Sequence, residues 1–368
     1  MKFFCNGKTL SEATNVVSKA LAVNKNIPIL ESMKINASDN KITLSAYNQE
    51  IYIEKSIPAN VEIEGELIVN GKDFNDYVNK ISNIDEIEIE QTTSNNKLKL
   101  KFDNKTCEIN YYEISSFPEL GDYNENISFK IKEKDLKELL ERVIFCAALT
   151  DNRTLLKSCN LRIINNVIES VCLDGYRLAI SKKPVEDCTT DFSCAILGKI
   201  VNDIIKILGD SEEYVKVSKF NNLLIFDLIS TKIKSTTVDC DFFKYENMMP
   251  KEINNTITIN KNDILESLNR ASIISRDHAF NNIIIETKEN VVNILAESEK
   301  GMINEPVNCK TYGEDIKIGI NNKFLIDAVN KIKTDFVIIE LESKIKPIVI
   351  KEVDSDEFVG IILPVRLV

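Results

Sequence analysis

The chain has 368 residues, 43% hydrophobic and 28% charged, with few glycines (11) and prolines (8). This is the composition of an ordinary globular protein long enough for two or three domains, neither fibrous nor dominated by linkers. The net charge of −11 argues against a simple groove binder of nucleic acid, which is usually basic, but not against a protein that places positive charge locally. No stretch reaches the roughly 18 apolar residues of a membrane span, and the apolar run Phe3, Phe4, Cys5 is too short for a signal peptide. The nine cysteines are odd in number and form no C-x-x-C pair, so they read as reduced thiols of a cytoplasmic protein rather than zinc ligands or disulfides. No cofactor, metal or membrane is expected.

In chain order, the first elements expected are a short alternating strand at Phe3, a turn and a helix, all within FFCNGKTLSEATNVVSKAL (3–21). Alternating runs follow, such as KITLSAYNQEIYIE (41–54), then a second helix in VNGKDFNDYVNKI (69–81) and further strands such as KLKLKF (97–102), with polar turns between them. SFPEL (116–120) closes the series. It then begins again: FKIKEKDLKELLERVIFCA (129–147), ILGKIVNDIIKIL (196–208) and DFFKY (241–245). A third pass runs ITINKNDILESLNRASIIS (257–275), INNKFLIDAVNKI (320–332) and LPVRL (363–367).

Phe3, Phe129 and Ile257 correspond, as do Leu10, Leu136 and Ile264; Lys72, Lys199 and Lys323; and Asp76, Asp203 and Asp327. A period of about 125 residues is domain-sized, far beyond a solenoid repeat. The expected fold is therefore α+β: three tandem similar domains, 1–124, 125–250 and 251–368, each with antiparallel strands and two helices on one face of a sheet. The helical windows are positive or neutral and the strand-rich parts strongly acidic. Lysine's preference for exposed helix faces accounts for part of this; a helix-lined surface facing phosphates, with an acidic outer sheet, is the alternative.

A reaction centre is not evident. The single histidine, His278, has no second histidine to share a metal with, and G-x-S-x-G, G-x-G-x-x-G and Walker A patterns are absent. Asp239 and Asp241, flanking Cys240, could hold Mg²⁺ in a nuclease, although paired acids at a strand end are more often simply solvated. The chain is expected not to be an enzyme.

One stretch carries a resemblance. In SVCLDGYRLAISKKPV (170–185), Asp174-Gly175 makes a hairpin turn in which glycine supplies a positive φ. The segment resembles the TDG-[HY]-R-L-A signature of the bacterial β sliding clamp family, the processivity subunit of DNA polymerase III. NIPILESMKI (26–35), LTDNRTLLKSCNLRI (149–163), VDCDFFKYENMMP (238–250) and LPVRL resemble further family segments in the same order, covering essentially the whole chain. The resemblance implies a ring: a head-to-tail homodimer of three-domain chains with helices lining the hole and sheets outside. Such a ring encircles duplex DNA without regard to sequence, so that retention is topological and tolerates an acidic chain. It would tether the replicative polymerase and bind the clamp loader, repair polymerases and mismatch-repair proteins through short Gln- and Leu/Phe-containing peptides.

By matching positions, the peptide groove would be built by Leu156, Leu173, Gly175, Tyr176, Arg177 and Leu178 of the second domain and by Phe243 and Met248 of the connector. Asn321, Phe324, Ile345, Ile361, Leu363, Pro364, Val365 and Arg366 would come from the third. Aliphatic residues would supply burial, with each Leu or Phe anchor contributing roughly 1.5–3 kcal/mol, while Arg177 and Arg366 orient the polar end. This sequence departs from the family at Leu173 (commonly Thr), Phe243 (frequently Pro), Asn247 (Arg in some members) and Val368, one residue past the usual terminal Leu. DNA contacts would fall to Lys25, Lys72, Arg153 and Lys199, with Asn24 where some members have Arg. The dimer seam would set Lys97, Lys105, Cys107 and Ile109 opposite Ile273, Ile274, Glu297 and Glu299, with an apolar centre and charged rim. Two other readings stay open: a protein-binding repeat scaffold without DNA encirclement, and a metal-dependent nucleic-acid enzyme using Asp239 and Asp241.

Overall fold

The structure, a computed structural model, describes residues 1–22, 27–112, 117, 127–188, 192–241, 243–276 and 281–367. Lys25, Asn24, His278 and Val368 lie outside the described residues. Among the described residues six α-helices fall in three pairs: α1 (Gly7–Val17) and α2 (Gly71–Lys80), α3 (Glu133–Glu141) and α4 (Gly198–Ile207), α5 (Lys261–Ser275) and α6 (Asn322–Asn330). A strand runs directly into each one. Lys2–Cys5, Ile127–Lys132 and Asn255–Asn260 lead into the first helix of each pair, and Gly65–Asn70, Phe192–Leu197 and Lys317–Asn321 into the second.

The strand-to-helix switch is set locally. Asn6, Asn70, Asn260 and Asn321 are N-caps whose side chains accept hydrogen bonds from first-turn N–H groups, satisfying donors that the helix itself leaves open. Apolar residues three and four apart then bury one face of each helix, for example Leu10, Ala13 and Val17 of α1, Ile200, Val201 and Ile204 of α4, and Ile264, Leu268 and Ala271 of α5. The corresponding residues Phe3, Phe129 and Ile257 are all buried.

By contact the chain forms two compact units. One takes residues 1–133, 186–190 and 206–237; the other takes 134–185, 191–205 and 238–368. The first contains a 13-stranded antiparallel sheet and the second a 12-stranded one. Each sheet contains a junction between successive repeats. In the first unit, Ile51–Pro58 pairs with Thr231–Thr236, from Thr231 opposite Lys55 to Ser235 opposite Ile51. In the second, Arg177–Pro184 pairs with Ser355–Ile362, from Arg177 opposite Ile362 to Ser181 opposite Phe358.

The two junctions obey one rule. The third strand after the first helix of one repeat pairs with the last strand of the next repeat. Applied to the remaining strands, the rule leaves two edges over. Gly301–Tyr312, the third-repeat counterpart, pairs along one side with Val291–Ser298, but on the other meets Asn255–Asn260 only through Cys309–Tyr312. Lys105–Tyr112, the closing strand of the first repeat, pairs with Lys97–Phe102 on one side and reaches Gly65–Asn70 only at Tyr111 and Tyr112. The outer edges of 105–110 and 301–308 have no strand partner among the described residues.

Candidate functional site

Registers in the second unit place successive cross-strand rows on one face. Leu173, Leu178, Ile361 and Val349 stand side by side, and Val171, Ile180 and Val359 form the next row. The third row is charged: Arg162, Glu169 and Lys182. Because side chains alternate across a strand, residues two apart share this face, which is why apolar pairs such as Val171/Leu173 and Val359/Ile361 recur at that spacing. Leu156 packs onto the apolar rows, as do Phe243, Tyr245, Met248 and Met249 from the segment connecting the second and third repeats. The predicted residues Leu156, Leu173, Leu178, Phe243, Met248 and Ile361 are thus brought into one cluster. Sequence matching missed Val171, Ile180, Val349 and Val359, which the strand alternation could have found, and Tyr245, which lies in a 3₁₀ turn and has no such periodic signal.

The turn beside this floor is held by its own aspartate. Gly175 has φ +93° with open space where a Cβ would be. Asp174 Oδ1 accepts hydrogen bonds from the N–H groups of Tyr176 (3.0 Å) and Arg177 (3.1 Å). Tyr176 is left 65% exposed. Arg177 turns away from solvent. Its guanidinium donates to Asp174 (2.9 Å), to Asp327 on α6 (2.6 Å) and to the Phe145 carbonyl (2.8 Å), and stacks 4.3 Å from the Phe324 ring centroid. Arg177 therefore fastens the turn to α6 and fixes Phe324, a role the sequence did not reveal.

The C-terminal segment runs past the same turn. Leu363 N–H donates to the Tyr176 carbonyl (2.9 Å) and Val365 N–H to that of Gly319 (2.8 Å). Gly319 and Val365 form an antiparallel bridge, the counterpart of the Ala195–Val238 bridge in the second repeat. Leu363, Pro364 and Val365 are half-buried, and Arg366 is exposed. Asn321 caps α6, and Ile345 stands 82% exposed on the loop between Phe336–Leu341 and Ile348–Glu352. Leu173, the departure from the family Thr, is buried in the floor, and Asn247 is exposed.

Lys72 and Lys199 are exposed at the starts of α2 and α4. Arg153 is exposed but engaged: Asp151 accepts hydrogen bonds from its side chain and its N–H, holding the Asp151 carboxyl down at about 2. Lys105, Cys107 and Ile109 lie on the open edge of the first repeat, and Lys97 pairs with Asn110 across the adjacent strand. Ile273 (61% exposed) and Ile274 end α5; Glu297 and Glu299 border the turn into the open strand Gly301–Tyr312, where Met302 is 74% exposed. Among the described residues no group of three or more His, Cys, Asp or Glu is placed to hold a metal ion, and no helix is long and apolar enough to cross a membrane.

Three family descriptions match in succession: the N-terminal domain of the DNA polymerase III beta subunit over 1–121, its central domain over 130–244 and its C-terminal domain over 246–366. The chain is similar to the beta sliding clamp of Halalkalibacterium halodurans, 28% identical with 100% of each chain covered. It is also similar to that of Staphylococcus epidermidis, 26% identical with 96% of each covered. The crystal structure of the Bacillus subtilis DNA polymerase sliding clamp superposes with a TM-score of 0.93 over 100% of both chains at 24% identity, showing the same fold. With its threefold repeat matched domain by domain along nearly its full length, this chain belongs to the bacterial beta sliding clamp family, the beta subunits of DNA polymerase III.

Proposed function

We infer that this chain is a non-catalytic DNA sliding clamp that confers processivity on its polymerase by encircling duplex DNA as a head-to-tail homodimer in the cytoplasm. The pattern of strand edges carries this reading. Two of the repeat-to-repeat junctions are made within the chain, and among the described residues the third is left as two open edges, on 105–110 and 301–308. A single chain that repeats the junction rule uses both edges only by pairing with another copy, which buries backbone groups that are otherwise an aggregation liability. The seam then takes Lys97, Lys105, Cys107 and Ile109 from one copy and Ile273, Ile274, Glu297 and Glu299, with Met302, from the other. The domains are 1–124, 125–250 and 251–368. Lys25, Lys72, Arg153 and Lys199 serve as sequence-independent phosphate contacts, weak and screened so that the ring slides.

The apolar rows around Leu173, Leu178 and Ile361, with Tyr176, Phe324, Ile345 and the segment Leu363–Arg366, form the groove for short peptides of the polymerase, clamp loader, repair polymerases and mismatch-repair proteins. The buried aliphatic floor and exposed aromatic and aliphatic borders support it. The test is sedimentation at micromolar concentration together with retention on circular against linearised DNA after loading. A dimer held on circles and lost from linear DNA is expected. A monomer that no loader places on circles would leave the protein-only scaffold as the reading.

A further inference from the structure

The groove's connector wall has an anchor outside the groove. Tyr245 lies in the short 3₁₀ turn Tyr245–Met248, between the groove residues Phe243 and Met248, and is buried with its ring among the apolar rows. Its hydroxyl reaches the charged row that ends this patch. It donates to Glu169 Oε2 (2.9 Å) and accepts from Arg162 Nη2 (3.2 Å). Arg162 places its guanidinium 5.4 Å from the Tyr245 ring centroid, bonds Glu169 on one side and binds Glu246 of the same 3₁₀ turn at 2.9 Å on the other. Lys182 closes the set, 3.2 Å from the second Glu169 oxygen. The connector is thereby held at two successive residues, Tyr245 and Glu246, by side chains from strands Ser158–Ile164 and Val167–Leu173.

We infer that Arg162, Glu169 and Tyr245 are positioning residues for peptide recognition: they pin the connector so that Phe243 and Met248 stand over the floor before a peptide arrives. The inference rests on the groove reading above and adds the part that pre-organises it. The physical reason is that a turn of four residues has little cooperative stability of its own. A tyrosine whose ring is buried and whose hydroxyl meets a carboxylate fixes both the depth and the rotation of that turn. Burial opposes the charge on Glu169, but the hydrogen bonds from Arg162, Tyr245 and Lys182 outweigh it and keep the carboxyl below its ordinary range. The acceptor is therefore a carboxylate at neutral pH and makes a charge-assisted bond to the phenol. If the connector visits other positions once unpinned, the apparent affinity falls by the fraction of time it is correctly placed.

Tyr245→Phe removes the hydroxyl and keeps the ring. In the free protein, amide hydrogen exchange over 243–249 is expected to quicken by at least fivefold while exchange in Arg177–Pro184 stays unchanged. Binding of a fluorescent peptide containing Gln, Leu and Phe is expected to weaken about 3- to 10-fold, through a slower association rate with dissociation nearly unaltered. A role confined to stability would lower the unfolding midpoint and leave that rate alone. Glu169→Gln, which keeps shape and an acceptor but loses the charge, is expected to give a smaller change of the same kind. Unchanged exchange over 243–249 in Tyr245→Phe overturns the proposal whether or not any peptide binds. A wild-type protein that binds no such peptide instead overturns the groove reading.

Discussion

Arg177–Pro184 and Ser355–Ile362 join the second and third repeats, and the two ends of this pairing are made of opposite materials. At one end Leu178 and Ile361 sit side by side in an apolar row flanked by partly exposed side chains. At the other, Lys183 and Phe358 meet a knot of charges. Arg142, one residue past the end of α3 and 3% exposed, bonds Glu352, 4% exposed, lies 3.3 Å from Glu138 and stacks 4.8 Å from the Phe358 ring centroid. Lys183 bridges Glu138 and Glu357, and Lys333 N–H donates to the same Glu352 oxygen that Arg142 binds. The apolar end gains from any close packing and leaves a surface on which another aliphatic chain can settle. The charged end is satisfied in only one arrangement, because a slip in register strands buried charge. One end offers adaptability and the other a fixed joint.

The sharpest way to break this contrast is Glu352→Ala, which leaves Arg142 buried without its main acceptor. A loss of about 3–5 kcal/mol in urea unfolding is expected; a loss under about 1 kcal/mol would mean the knot is solvated and does not set the joint. At the apolar end, Leu178→Ala is expected to cost about 2–4 kcal/mol, with a simultaneous drop in peptide affinity. If stability falls but affinity does not, Leu178 is core and not groove floor.

Ending the chain at Leu363 removes mainly half-exposed and exposed residues, so stability should hardly change while peptide affinity falls at least tenfold, about 1.4 kcal/mol. Retained affinity would confine the groove to the sheet face. The two ends should also differ in acid. Lys333 and Lys183 outweigh burial and hold the Glu138 carboxyl below its ordinary range. Its contribution to stability is therefore fully present above the unfolded carboxyl's range, near pH 4.3, and fades as pH falls below it. Glu138→Gln should flatten the fall in urea midpoint between pH 7 and pH 3.5; an unaltered fall would assign acid sensitivity elsewhere.

The smallest effect belongs to an exposed pair. Asp151, held at about 2 by Arg153, should stay ionised in a carbon-detected NMR titration down to about pH 3. In Arg153→Ala, which removes the guanidinium but keeps the backbone N–H bond, it should titrate higher than about 2 yet short of the ordinary value near 3.9, with no measurable loss of stability because the pair is open to solvent. A clear stability loss would undo the distinction between buried and exposed charge on which the comparison rests.

Sequence alone determined what is local or periodic. Three-to-four spacing of apolar residues announced the helices, two-residue alternation announced the strands, and recurrence at about 125 residues announced the threefold repeat. The turn at Asp174-Gly175 was legible because it depends on a single backbone conformation. Tertiary structure decided which strands pair between repeats, and so which two edges remain open, since pairing depends on contacts more than a hundred residues apart. It also decided the work of the charged residues. Nothing in the local sequence separates Arg177, drawn to Asp327 and Phe324, from Arg153, which bonds Asp151 in open solvent. A charge's role is set by the partners and the burial that folding gives it, and neither is written in its neighbours along the chain.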